Sequence, residues 1–169
     1  YNAFRRKETF GTSGPRIKVR FFAGYNFENS NLNDQDLIQE AYSKNIPMGG
    51  DIIQEKDKNP RFLVWAISDP LGAPLQRVQI IKGWLADGEQ REKVFDVGCS
   101  DGQSVNPLNH RCPDNGAKVN LDDCSISREK GNAEIKTFWQ DPEFSNDQEA
   151  FYYARVIENP TCRWSTWDA

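Results

Sequence analysis

The chain has 169 residues, with 21 Lys and Arg against 25 Asp and Glu and a formal net charge of −4 at pH 7. That length fits one domain of roughly 100–200 residues, and the acidic balance argues against an electrostatic hold on nucleic acid or anionic lipid. An aromatic content of 12% gives enough to bury to exclude disorder, and no run nears the roughly 20 apolar residues of a membrane span.

Taken in chain order, residues 1–14 read as the end of a helix running into a turn. Phe4 is flanked by the basic cluster Arg5, Arg6 and Lys7, and Gly11 and Gly14 close the stretch. Tyr1 is not an initiator and nothing at the start reads as a signal peptide, so the sequence is either processed or cut from something larger, and the second is the expectation. From Ile17 the period changes to two: Ile17, Val19 and Phe21 alternate with Lys18 and Arg20, a half-buried strand. Asn33 or Asp34 is the expected N-cap of a short crossover helix, in which Leu37/Ala41 and Ile38/Tyr42 share one face. Pro47 and Gly49-Gly50 end it.

The run FLVWAIS (62–68) is apolar on both faces and reads as a central strand. RVQIIKGWL (77–85), the Asp87-Gly88 hairpin signal and EKVFDVG (92–98) follow. AEIKTFW (133–139) sets Ile135, Thr137 and Trp139 on one face. FYYARVIE (151–158) is the most strand-like run, apolar on both faces and also expected to be central, so that Val64→Asp and Tyr153→Asp should both abolish folding. Trp65, Trp84 and Trp139 are expected in the core. Six mostly antiparallel strands and one short helix predict a mainly β chain, an antiparallel β-sandwich of immunoglobulin-like type. Residues 15–169 would form that sandwich, and 1–14 the end of a preceding domain and its junction.

Cys99, Cys112 and Cys124 lie in a Gly-, Pro-, Asn- and Asp-rich excursion, and Cys162 lies beyond the last strand. No pair has the close spacing of a zinc site, so disulfides that staple a long loop are the expectation. Four cysteines allow three connectivities; Cys112–Cys124 with Cys99–Cys162 is the favoured one, because the first two share one irregular excursion. Disulfides imply a periplasmic or extracellular protein. His110 is the only histidine, which cannot supply the usual catalytic metal sets. No metal residue and no catalytic residue is therefore assigned in this chain, and no cofactor.

Several segments together resemble a known family: RRKETFGTSGPRIKVRFFAGY, the PMGGDI turn, RVQIIKGWLADGEQREKVFDVG and FYYARVIENPTCRWSTWDA. They look like the C-terminal part of a large bacterial family of secreted proteins, domain of unknown function thirty-six hundred and four. The resemblance implies a parent with an N-terminal domain similar to the polymerase-and-histidinol-phosphatase (PHP) superfamily. That domain would be a metal-dependent hydrolase whose divalent metals and ligands precede the segment present here. The cysteine-rich insertion looks like the version in a marine-bacterial branch. No ligand motif of the family falls on this chain.

The function expected is thus a non-catalytic accessory β-sandwich, a fragment of a larger secreted PHP-like hydrolase of unknown substrate, with the hydrolase domain of the same parent as its partner and no nucleic acid or membrane insertion. FGTSGPR (10–16) would be the junction, with Arg16 either facing the active site or simply solvated at a strand edge. The alternative is a glycan- or peptide-binding module that stacks its ligand on Trp164 and Trp167, beside Arg163 and Asp168. Catalysis by Asp122/Asp123 or Asp141/Glu143 is a third reading, and calcium near Asp122-Asp123 matches no EF-hand spacing.

Overall fold

A computed structural model describes residues 1–27 and 30–167. The period-two segments become strands: β1 (Lys18–Gly24), β3 (Arg61–Ile67), β4 (Leu75–Ala86), β5 (Glu89–Cys99), β6 (Glu134–Gln140) and β7 (Ala150–Glu158). A two-residue strand, β2 (Ile46–Pro47), joins them; its proline needs no ladder donor because it lies at a sheet edge. The helices are short: α1 (Asn2–Arg5), α2 (Leu37–Lys44) and α3 (Trp164–Trp167). The helix expected from Asn33 or Asp34 starts later, with Asp36 as N-cap, because the Asp34 carboxylate is taken by the Asn31 N–H in the preceding turn.

The strands make two antiparallel sheets, β2-β1-β3-β6 and β5-β4-β7, packed as a sandwich. Alternation decides what faces inward. Phe21, Phe62, Val64 and Ala66 from the first sheet meet Val78, Ile80, Phe95 and Val97 from the second in one buried cluster. The opposite face of the first sheet is covered by α2, whose Leu37 and Ala41 lie on Phe22, Phe27 and Leu63. The Asp87-Gly88 loop closes the β4–β5 hairpin with both residues at positive φ (53° and 78°), as a primed turn requires.

β3 is central, between β1 and β6. β7 is not: β4 holds the middle of the second sheet and β7 its edge. Phe151, Tyr153 and Arg155 face outward, and Tyr153 is 42% exposed, while Tyr152, Ala154 and Val156 face the core. The outward aromatics serve the sheet locally. Phe151 lies over Gly83, where any Cβ would collide with its ring, and Phe151 and Tyr153 stack at 13° between ring planes.

The tryptophans also depart from expectation. Trp139 packs against the core cluster, but Trp65 is half-buried on the outer face, donating to Glu134 at 2.9 Å, with Lys136 over its ring at 4.1 Å. Trp84 is half-buried beside Lys82. A large amphipathic ring with a donor is well served at such a boundary.

All four cysteines are oxidised, but the pairing is Cys99–Cys112 and Cys124–Cys162. The favoured connectivity fails because the excursion carries Cys112 and Cys124 to different partners. The Asp96 N–H donates to the His110 carbonyl at 2.9 Å, and the Cys112 N–H donates to the Asp96 carboxylate at 2.7 Å. The loop is thereby laid along the β5 edge and Cys112 set beside Cys99. A second small ladder, with Val119 opposite Ile126, carries Cys124 to the exit of β7. Replacing either pair by serine is expected to cost about 2–4 kcal/mol, more for Cys124–Cys162 because it closes the longer loop. Denaturant melts measure the loss, and peptide mapping of unreduced protein checks the linkage.

Glu158, the last residue of β7, has a buried oxygen without a hydrogen-bond partner among the described residues. Burial, and then the Asp69 charge, raise its carboxyl above the ordinary 4.5. A folded-state value above the unfolded one means the folded chain binds the proton more tightly. The contribution is therefore full below about pH 4.5 and lost as pH rises through the raised value. Glu158→Gln is expected to raise Tm by about 1–2 °C at pH 7 and to change it little at pH 4, as thermal melts at both pH values would show.

Candidate binding cleft

The two sheets do not close along their whole length. Between β1 and β7 they part around a cleft of about 1050 Å³. Its floor is inward-facing core: Val19 and Phe21 from β1, Phe62 from β3 and Tyr152 from β7. Met48 and Ile52, in the segment after β2, form one wall, the 144–149 loop forms the other, and Phe10 stands at the mouth, half exposed.

At the bottom lies a charge. Lys82 sits in the inward phase of β4, between Ile80 and Trp84, and its side chain is 3% exposed. Its Nζ meets Asp141 Oδ2 at 2.6 Å, and Asp141 is wholly buried. Nζ also donates to the Glu143 carbonyl at 2.8 Å. The Asp141 carboxylate further accepts the Tyr152 hydroxyl at 2.7 Å and the Glu143 N–H at 2.8 Å. Burial, and then that bond to Asp141, push the Tyr152 hydroxyl above its ordinary range, so it remains a donor. Glu143, the other member of the carboxylate pair singled out from the sequence, is exposed and pairs with Lys93. Asp141 and Glu143 are thus neighbours with separate cations rather than an acid–base couple.

A second buried carboxylate, Asp96, accepts from Arg77 at 3.1 Å, from Gln79 at 2.6 Å and from the Cys112 N–H. It anchors the cysteine loop. Asp122 and Asp123 lie in an exposed turn, where Asp123 accepts the Ser125 N–H at 2.9 Å. His110 packs edge-on against Phe95. Among the described residues no group of three or more His, Cys, Asp or Glu could hold a metal ion, and His110 and the oxidised cysteines do not suit one. Arg16 is exposed and its backbone N–H bonds to Asp69 at 2.7 Å, a strand-edge position.

The cleft gathers none of the expected stacking residues. Trp164 is 79% exposed in α3 and does not line it; the Trp167 side chain and Asp168 lie outside the described residues. What the structure brings together is Phe10, Phe151 and Tyr153 at the rim and Lys82 beneath them. Only Lys82 left a signal in the sequence, a cation in the apolar phase of a strand.

The family model for "Protein of unknown function (DUF3604)" matches residues 1–169. This chain belongs to the DUF3604 family. No curated protein and no solved structure matches it. The cleft and its buried Lys82–Asp141 pair are accordingly features read from this DUF3604 chain itself. Its two disulfides point to an oxidising environment outside the cytoplasm, and among the described residues no helix is long and apolar enough to cross a membrane.

Proposed function

We propose that this chain is a non-catalytic accessory β-sandwich of a larger periplasmic or extracellular protein, whose PHP-like domain would hold the divalent metals and carry out hydrolysis. The observation that carries this reading is the use of buried charge. Asp96 and Asp141 are the buried carboxylates among the described residues, and each is held by a cation and a backbone N–H, in the service of the fold. The N-terminal segment supports the same view. Its stem lies on the sandwich, with Glu8 accepting the Tyr42 hydroxyl at 2.5 Å and the Arg6 and Lys7 carbonyls against Gly49. Tyr1 and Phe4 stand 90% and 79% exposed, side chains suited to a neighbouring domain.

The test is an assay of the purified chain on chromogenic phosphate esters with added manganese or zinc. No rate above buffer is expected; chelator-sensitive turnover that follows the chain through gel filtration would overturn the reading. A binding role is the second reading. It is favoured by Phe10, Phe151 and Tyr153, which meet at one cleft rather than lying scattered, and it moves the contact from the tail tryptophans to the rim of the cleft along the edge of β7.

A further inference from the structure

We propose that the cleft takes an extended, basic peptide, which adds a strand to the free edge of β7. The inference rests on the binding reading above and names the ligand class and its mode. Five consecutive residues of β7, Ala150 to Ala154, line the cleft. Inward and outward side chains are both among them, so it is the strand's edge that looks into the opening. That is about 17 Å of edge at ~3.4 Å per residue.

Alternate backbone N–H and C=O groups on that edge point away from β4 into the recess, whose floor is apolar and whose rim is polar. Among the described residues no backbone group outside β4 bonds to β7. Such groups call for partners, and an added strand supplies them in series.

The other edges are treated differently. β5 has a bulge beside Val78/Gln79 and is bonded by the cysteine loop at Asp96. β6 carries Glu134 and Lys136. β1 is paired by β2, then by the Met48 N–H to the Phe21 carbonyl at 2.8 Å. From Val156 to Ala150 β7 has no bulge, no proline and no glycine, and its one charged side chain there, Arg155, is turned to Gln79 at 2.7 Å. An edge left so flat lacks the devices that normally prevent strand addition.

Charge selects the occupant. Lys82 is already neutralised by Asp141, so the free charges lining the cleft are Asp51, Asp147 and Glu149 against Lys7. None of those three carboxylates has an ion-pair partner among the described residues. The net negative rim suits a peptide with apolar residues at its centre and lysine or arginine at its ends.

The experiment uses the whole chain and a blocked octapeptide with two lysines at each end of a valine–tyrosine–valine–tyrosine centre. Calorimetry is expected to show one saturable site, and hydrogen exchange to slow alternate amides of residues 150–154. Glutamate in place of lysine should weaken binding at least roughly tenfold, and Asp147→Lys with Glu149→Lys, both at exposed positions, should reverse that preference. N-methylation of the four central residues keeps the side chains but removes their donors and should abolish binding. Equal binding of the N-methylated peptide, or binding that leaves β7 exchange unchanged, overturns strand addition. A neutral oligosaccharide that saturates the cleft while the lysine peptide is inert overturns the peptide and leaves the binding reading standing. If neither binds, both fall.

Discussion

Lys82→Met is expected to lower stability by about 3–5 kcal/mol, because it leaves the Asp141 carboxylate buried without its cation. The remaining partners, the Tyr152 hydroxyl and the Glu143 N–H, are neutral donors and offset only part of the loss. Asp141→Asn in the Lys82→Met background removes the stranded charge and is expected to recover more than half of the deficit, as replacing both members of a buried pair generally does. Urea denaturation of the two variants beside the parent decides it. If the single and double variants are equally destabilised, the pair acts through shape rather than charge. Lys93→Met is the control, since its exposed pairing with Glu143 should contribute at most about 1 kcal/mol.

Val64→Asp is expected to prevent folding at neutral pH. Val64 is fully buried on the inward face of β3, opposite Phe21 and Thr137, where a carboxylate would lie in the apolar cluster of Phe62, Ile80 and Val97. The cost of burying a lone charge runs to several kcal/mol or more, comparable with the whole stability of a domain. Tyr153→Asp has the opposite expectation. Its side chain stands on the outer face of an edge strand, so a folded protein with a cooperative melt should result. Circular dichroism of the two variants side by side distinguishes a central β3 and an edge β7 from the reverse arrangement.

That contrast marks where the sequence can be read and where it cannot. FLVWAIS and FYYARVIE carry the same signature, apolar side chains in both phases. For the first, the second face is covered by α2 through Leu63. For the second, Phe151 and Tyr153 are occupied with each other and with Gly83. Periodicity reports how apolar a face is, not what covers it. Local signals served better: the Asp87-Gly88 turn, the Leu37/Ala41 face of α2 and the inward row of β6 all stand where their chemistry placed them.

Non-local pairings were beyond reach. Lys82 finds Asp141, and Cys112 finds Cys99 rather than Cys124, only after the chain between has been laid down. The lysine was visible as an exception to alternation, but its partner was one carboxylate among 25. Cys112 reaches Cys99 along a loop bonded to Asp96 by the His110 carbonyl and the Cys112 N–H, which no spacing rule anticipates. The cleft is still less legible, because a recess is made by what the sheets fail to cover.

The disulfide map divides the covalent structure in two. Cys99–Cys112 closes within the first part of the chain and Cys124–Cys162 within the second, and Lys118, exposed and bonded to Ser127, lies between them. A single cut after Lys118 therefore yields two polypeptides, each with its own closed ring and no bond between them. The Cys99–Cys162 linkage would have tethered them. The second piece carries β6 and β7, one outer strand for each sheet, so the halves would be joined by strand pairing, by core packing and by the buried Lys82–Asp141 bridge, and by nothing covalent. A nick there would turn the sandwich into a two-chain complex, whose dissociation would report on the contacts between the sheets with no disulfide to reduce.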